Sequence, residues 1–216
     1  MIPAKVLSAR YLTSATPTLA RALGAPEGYP CLAMLTVDAD DPTYIALDEA
    51  TKKANVRVCY THSFYGGAAN ATTPNAGEVI GILAGPTPGE VRSGMEAAVS
   101  MLERVGFEMA GDVPYLAYTV SRSGSFLAQE AKVEEGTAIA YLIAPPLESM
   151  YAMDAAMKAA DVKLCKLYNP PSQTNFGGGL LSGSQSACEA ACAAFARAVG
   201  EVAAEPSVFP GEYKGA

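Results

Sequence analysis

The sequence predicts an α/β protein of the α+β sandwich type, built from two tandem copies of one domain. A twelve-residue segment recurs after 106 residues with six identical positions. Apolar strand patterns and helix patterns also alternate in the same order in both halves, as expected of helices packed on a sheet. Half of the 216 residues are hydrophobic and 17% are charged, so each half can bury a core of its own.

The repeat aligns Asp48–Cys59 (DEATKKANVRVC) with Asp154–Cys165 (DAAMKAADVKLC). Further along the chain the shift falls to 98 residues, because the first copy carries a longer loop, and ILAG at 82–85 then meets LLSG at 180–183. A period this long indicates duplicated domains, since solenoid repeats are much shorter. We place the first domain at 1–111 and the second at 112–216.

The elements of each copy follow from apolar runs and helix-start signals. The continuously apolar run Cys31–Val37 predicts a strand buried on both faces. Asp41 is placed to cap a helix from Pro42, and Thr87 with Glu90 has capping-box spacing. The other predicted strands are Lys5–Tyr11, Val56–Tyr60, Glu78–Ala84, Tyr115–Ser121, Ala138–Ala144 and Val162–Tyr168, with helices at Pro146–Ala160 and Ser184–Val199.

Composition excludes several classes of function. A net charge of −7 argues against nucleic acid, which needs a basic face. The five cysteines form no C-x-x-C pair, so we expect reduced, buried thiols and no metal site. No signal peptide or membrane-length apolar segment is present, and we therefore expect a soluble cytoplasmic chain.

Nothing in the sequence forms a recognisable catalytic centre. The single histidine, His62, has no evident nucleophile partner, and Ser-Gly-Ser at 123–125 and 182–184 is not a nucleophile elbow. Phosphate- and dinucleotide-binding glycine motifs are absent as well. We expect no enzyme activity and no required cofactor. An acid–base enzyme using Asp40 and Glu78 is the weaker alternative.

The two copies differ at a group of carboxylates. In the alignment, the first copy has Asp38, Asp40 and Asp41 where the second has Ala144, Pro146 and Leu147. Glu78 aligns with Phe176. One interpretation is structural, with Asp41 as a helix cap and Asp38 and Asp40 solvated. The other is a site for a primary ammonium, which favours carboxylates and an aromatic face. Candidates for that face are Phe64, Tyr65 and Phe107.

Two kinds of motif carry a family resemblance. The pattern Asp-x-x-x-Lys-x-Ala before a Val-rich strand occurs twice and resembles the signature of bacterial microcompartment shell domains. The runs DDPTYIALDEATK, YGGAAN, AGEV, SRSGS, AYLIAPPLE and SGSQSACEAAC are similar to the tandem shell proteins of ethanolamine-utilization microcompartments, along nearly the whole chain.

The resemblance implies a circularly permuted tandem shell protein that forms a homotrimeric pseudohexamer and a tile with other shell proteins. It places Lys52 and Lys158 at the tile edge. It also implies ethanolamine binding at a small pore and possible cobalamin binding. With the carboxylate difference, we predict a ligand site in the first domain only, formed by Asp40, Asp41 and Glu78 with Tyr65 or Phe107.

The longest Gly- and Asn-rich segments, Ser63–Gly77 and Pro170–Gly179, are expected to line a central pore. Their candidate pore residues are Phe64, Asn70, Thr72, Asn175, Phe176 and Gly178. The alternative function is a soluble tandem sensor of an amine or a corrinoid that does not assemble.

Overall fold

The structure, a computed structural model, describes residues 1–64, 78–172 and 176–207. The first half contains β1 (Ile2–Pro3), β2 (Val6–Leu12), α1 (Pro17–Ala22), β3 (Cys31–Val37), α2 (Asp40–Lys53), β4 (Arg57–Phe64), β5 (Glu78–Gly85) and α3 (Pro88–Leu102). The second half contains β6 (Gly106–Ala110), β7 (Val113–Val120), α4 (Ser125–Ala131), β8 (Ala138–Ala144), α5 (Pro146–Ala159), β9 (Val162–Tyr168), β10 (Gly177–Gly183) and α6 (Gln185–Ala204).

The two halves share one topology. One sheet has the strand order β2-β3-β5-β4, and the other contains the matching order β7-β8-β10-β9, all antiparallel. The second sheet is extended by β6 and β1, and Ile2 pairs with Phe107. The start of the chain is therefore part of the second sheet. The domain division at residue 111 remains a prediction.

The core lies between each sheet and its helices. The central strands β3 and β8 are almost wholly buried, in agreement with the prediction from their apolar runs. Helices α2 and α3 pack on the first sheet, and α5 and α6 on the second. Thr87 accepts a hydrogen bond from the Glu90 N–H, and Ser184 accepts one from the Ala187 N–H, so both final helices are capped by a side chain.

Several predicted elements need correction. Asp41 is not a helix cap, because α2 begins at Asp40 and its N-cap is Ala39, without a side-chain hydrogen bond. The second glycine-rich segment is shorter than predicted, since β10 begins at Gly177. The short helices α1 and α4 were not predicted, since helices of six and seven residues show little periodicity. Within the described parts of the chain, no helix could span a membrane.

Candidate functional site

The two halves meet at a buried carboxylate. Asp48 on α2 accepts hydrogen bonds from the backbone N–H groups of Gly124 (2.7 Å) and Leu127 (2.8 Å), at the start of α4. Lys52, one turn further on, donates to the backbone carbonyl of Arg122 at 3.0 Å. Burial raises the pKa of Asp48, while the two N–H donors and Lys52 oppose that shift. We call this set of contacts the internal junction.

Glycine is required at position 124 by this close approach. A Cβ there would lie 2.2 Å from the Thr51 Oγ1 and 2.6 Å from the Asp48 carbonyl oxygen. The Ser125 N–H also donates to the Thr51 Oγ1, at 3.1 Å. The internal junction thus fixes α2 against α4 by main-chain contacts that a larger residue would separate.

A cavity of about 210 Å³ lies between the halves near the start of α2. The first half contributes Asp40, Asp41 and Tyr44 from α2 and Ser63 from β4. The second half contributes the remaining described lining residues, which are Tyr141, Ile143, Tyr168, Ser172 and Phe176. We call it the aspartate cavity. It is smaller than the roughly 300–1,000 Å³ of pockets for drug-sized ligands, so it suits a molecule of few atoms.

Hydrogen bonds hold the polar groups of the aspartate cavity in place. The Tyr141 hydroxyl donates to the Asp41 Oδ1 at 2.8 Å, and the Asp41 N–H donates to the Asp40 Oδ1 at 2.9 Å. Ser63 hydrogen-bonds to Asp40 and shares a further hydrogen bond with the Tyr44 hydroxyl. Each aspartate is therefore positioned by a hydroxyl group, one from each half of the chain.

Ionisation of the Asp40 and Asp41 carboxyl groups is unfavourable. Burial raises the pKa of Asp40, against hydrogen bonds from Ser63 and the Asp41 N–H. Burial and then the charge of Asp40 raise the pKa of Asp41 well above its ordinary value, although the Tyr141 hydroxyl opposes this. Adjacent buried carboxylates cannot both ionise without a nearby cation. A cation placed next to them would favour their ionised form.

A second cavity of about 160 Å³ adjoins the first. Tyr44, Tyr141 and Tyr168 line both cavities, so these three rings stand between them. On the far side Lys166 forms an ion pair with Glu130 and lies 5.2 Å from the centre of the Tyr168 ring. The two cavities lie next to each other at the interface of the two halves and are separated by tyrosines.

The predicted ligand residues are placed differently. Asp40 and Asp41 line the aspartate cavity. Phe107 is buried on β6 behind it, with its ring 5.8 Å from that of Phe176, which does line the cavity. Glu78 is buried at the start of β5, opposite Phe64 in the ladder. Tyr65 lies outside the described residues.

The cavity that contains Asp40 and Asp41 is not confined to the first domain, because five of its nine described lining residues come from the second half. Sequence reasoning missed Tyr44, Ser63, Tyr141 and Tyr168. The helical spacing of Tyr44 from Asp40 and Asp41 was an available signal, but the second-half tyrosines lie about a hundred positions away and gave none.

The predicted pore residues also separate into groups. Phe176 lines the aspartate cavity, and Phe64 ends β4. Gly178 is a strand residue, not a loop residue: it pairs with Ile143, its φ is +143°, and a Cβ would lie 1.9 Å from the Leu142 carbonyl oxygen. Its glycine is explained by close packing. Asn70, Thr72 and Asn175 lie outside the described residues.

The two predicted edge lysines have unlike surroundings. Lys52 is only 25% exposed and bridges Glu49 (2.6 Å) and the Arg122 carbonyl. Lys158 is 76% exposed and pairs with Asp154 at 2.5 Å. The tile-edge role of both lysines remains a prediction. His62 is exposed on β4, and no group of three or more His, Cys, Asp or Glu side chains in the described part of the chain is placed to hold a metal.

Comparison with known proteins gives consistent matches. A family model described as the BMC domain matches residues 31–114. The chain is 53% identical over 213 residues to the bacterial microcompartment shell protein EutL of Clostridium perfringens, covering 97% of this chain and 98% of the relative.

Solved structures match as well. The structure of ethanolamine utilization protein EutL from Leptotrichia buccalis has a TM-score of 0.91 at 56% identity, covering 96% of this chain and 98% of that one. A trimeric bacterial microcompartment shell protein, PduB, has a TM-score of 0.77 at 18% identity, covering 95% of this chain and 92% of that one. At that identity the second match supports only the fold.

Two copies of one α/β topology, joined through a buried junction, with residues 31–114 matched by the BMC model, are the architecture of a tandem microcompartment shell protein. The chain belongs to the EutL family of bacterial microcompartment shell proteins.

Proposed function

We propose that the chain is a non-enzymatic shell tile that assembles head to tail into a closed homotrimer with other shell proteins around it. We also propose that the aspartate cavity binds a small primary ammonium such as ethanolamine and forms a narrow pore within each chain. The observation that carries the assembly is an unequal pair of surfaces: α2 is covered by α4, while the equivalent face of α5 is bare.

Equivalent residues of α2 and α5, which are 106 positions apart, quantify this difference. The Asp48 side chain is fully buried, but that of Asp154 is 60% exposed. Ile45 is 2% exposed, but Tyr151 is 52% exposed. A face that carries an exposed tyrosine and the same charged motif as a buried interface is suited to a similar partner.

The element that corresponds to α4 in the first half is α1. The Ala15 N–H donates to the Pro30 carbonyl just as the Ser123 N–H donates to the Thr137 carbonyl, at 2.8 and 3.0 Å. This fixes the equivalence of the segments before the two helices. Helix α1 carries Leu19 at 43% exposure. The α1 of a second copy is therefore the natural occupant of the bare α5 face.

Paired sequence changes support that occupant. In the internal junction the Ser125 N–H donates to Thr51. The equivalent positions in the other junction are Pro17, which lacks an N–H, and Met157, which lacks an acceptor. The hydrogen bond is thus replaced on both sides by an apolar contact. Thr16 stands at the position equivalent to Gly124, so the two helices of the α1–α5 contact must lie slightly further apart than those of the internal junction.

Repeating the α1–α5 contact from chain to chain could close a ring of three chains. A heterologous contact generates a ring when its rotation closes and a filament when it does not. Three two-domain chains supply six similar domains, which is the number of a hexagonal tile.

The ligand assignment rests on the buried aspartates and the surrounding tyrosines. An ammonium group would compensate two carboxylates whose ionisation is otherwise unfavourable, and the aromatic rings add cation–π attraction. The relatives are named for ethanolamine utilization, which provides an amine of suitable size. So few atoms limit the affinity, and we expect weak, reversible binding suited to passage.

Cobalamin remains a prediction without a site in the described residues. A corrinoid is far larger than the 210 Å³ of the aspartate cavity, so it would need another surface. The soluble-sensor alternative is kept as an outcome of the assembly test.

The assembly test is light scattering of the purified chain. We expect a trimer, and we expect Leu19→Asp to yield folded monomers because it places a charge in the α1–α5 contact. Met109→Asp, at a similarly exposed apolar position on β6, is the matched control and should remain trimeric. A wild-type protein that stays monomeric yet binds the amine would support the sensor instead.

The binding test is calorimetric titration with ethanolamine. Asp40→Asn should abolish the heat of binding, whereas Asp161→Asn, which removes the same charge from an exposed position, should leave it unchanged. Ethanolamine affinity that is equal in wild type and Asp40→Asn would refute the assignment.

A further inference from the structure

A third cavity, larger than the two described above, lies on the other side of the internal junction. Its volume is about 690 Å³, and it opens to solvent between the C-terminal ends of α2 and α3 and the segment that follows β7. We call it the basic groove. The residues that matter here are Lys52, Lys53, Arg104, Arg122 and Ser123, together with the carboxylates Glu49 and Glu135.

The groove concentrates positive charge in a chain of net charge −7. Glu49 is shared by Lys52 at 2.6 Å and Lys53 at 3.7 Å. Glu135 instead lies 3.9 Å from Arg57. Within the described parts of the chain, Arg104 and Arg122 form no ion pair, and the Arg104 Nε donates only to the Ser100 carbonyl at 3.3 Å. Two guanidinium groups therefore have donors available.

Ser123 supplies an independent sign of a ligand. The residue is 3% exposed, and its Oγ has no hydrogen-bond partner among the described residues. Its backbone is fixed, because its N–H donates to the Thr137 carbonyl at 3.0 Å and its carbonyl accepts from the Gly136 N–H at 2.8 Å. A buried hydroxyl without a partner is unfavourable, so a ligand acceptor in the groove would satisfy it.

The equivalent place in the second half lacks these features. A shallower cavity there is lined by Lys158, Arg197 and Glu201 with four alanines. Glu201 stands 97 positions after Arg104, which is the offset between the capping residues of α3 and α6. Ser14 and Ala15 stand where the other half has Arg122 and Ser123. Within the described residues, a pair of arginines together with a buried hydroxyl is thus found at the internal junction and not at the equivalent cavity.

We propose that the basic groove binds a small molecule through a phosphate group. Two guanidinium groups and a hydroxyl come from separate segments, one after α3 and one after β7, which suits a tetrahedral dianion with acceptors in several directions. A flat carboxylate would engage fewer of these donors. The volume leaves room for the rest of a phosphate ester. This site is independent of amine binding and of the trimer.

Calorimetric titration with pyrophosphate in low-salt, metal-free buffer tests the site, with malonate as the carboxylate arm. We expect pyrophosphate to bind more tightly than malonate, and Arg104→Gln and Arg122→Gln each to weaken pyrophosphate binding about tenfold or more. Arg197→Gln, which removes an arginine from the equivalent cavity, is the matched control and should not change it. No pyrophosphate binding at millimolar concentration, or equal loss in the control, overturns the proposal.

Ser123→Ala separates a ligand contact from a structural role. Because the hydroxyl has no partner within the described chain, its removal should not lower the melting temperature, and it should weaken pyrophosphate binding about tenfold. Unchanged affinity in this variant, or a lowered melting temperature, would contradict the proposal.

Discussion

Asp48 and Asp154 occupy equivalent positions, 106 residues apart, but the Asp48 side chain is buried and the Asp154 side chain is exposed. Asp48 accepts hydrogen bonds from two backbone N–H groups of the other half of the chain, while among the described residues Asp154 pairs only with the exposed Lys158. The shared motif therefore makes a complete contact within the chain in the first copy only. We infer that a second chain completes the equivalent contact of the second copy.

The largest effect is expected from Asp48→Ala. The substitution leaves the Gly124 and Leu127 N–H groups buried without their acceptor, which should lower the free energy of unfolding by about 3 kcal/mol. Urea unfolding measures this change. Asp154→Ala should change the unfolding of the monomeric chain by less than about 0.5 kcal/mol, since its ion pair is exposed. Equal losses would show that the two positions are not different.

Asp154→Ala should act on assembly instead. If α1 of a second chain packs on α5, loss of this carboxylate removes an acceptor at that contact and should raise the dissociation constant about tenfold. Dilution series in size-exclusion chromatography give the constant. Asp161→Ala, an exposed carboxylate two residues beyond α5, is the control and should dissociate like wild type. A trimer that is insensitive to Asp154→Ala would place the interface elsewhere.

The two copies differ in their response to pH at the aspartate cavity. Asp41 is buried with a raised pKa, whereas its equivalent, Leu147, is exposed and does not titrate. Because the folded pKa lies above the unfolded one, the contribution of Asp41 to stability is full below the unfolded pKa and is lost as pH rises through the folded value.

Wild type should therefore lose stability, relative to Asp41→Asn, as the pH rises above about 4, the ordinary pKa of an aspartate. Asparagine keeps an acceptor for the Tyr141 hydroxyl, so this variant tests the charge alone. Melting temperatures across the pH range supply the comparison. Ethanolamine should reduce the loss and bind more tightly as pH rises through this window. A difference between the variants that does not depend on pH would exclude a raised Asp41 pKa.

The smallest effect separates the two lysines. Lys52→Met removes a hydrogen bond to the Arg122 carbonyl and an ion pair to Glu49 at a position that is 25% exposed, and we expect a loss of about 1 kcal/mol. Lys158→Met removes only an exposed ion pair, worth about 0.3 kcal/mol. Chemical denaturation of both variants decides this. A larger loss at Lys158 would reverse the comparison.

The sequence by itself determined the duplication, the α/β class and most element positions. The bounds of β3, β8 and β9 follow from local apolar runs, and the resemblance to shell proteins rested on motifs that are contiguous in the chain. It also indicated Asp40 and Asp41 as unusual, since their equivalents in the second copy carry no charge. These features are local, and periodicity and alignment detect them.

Only the tertiary structure decided what those residues contact. Tyr141 and Tyr168 line the cavity of the aspartates from strands a hundred or more residues away. The position of Asp41 inside a buried first turn, not at a cap, depends on packing against the second half. Lys52 looked like a surface residue because its acceptor is a backbone carbonyl 70 positions later. Burial and partner choice arise from contacts between distant segments, and a single sequence does not encode them in any local pattern.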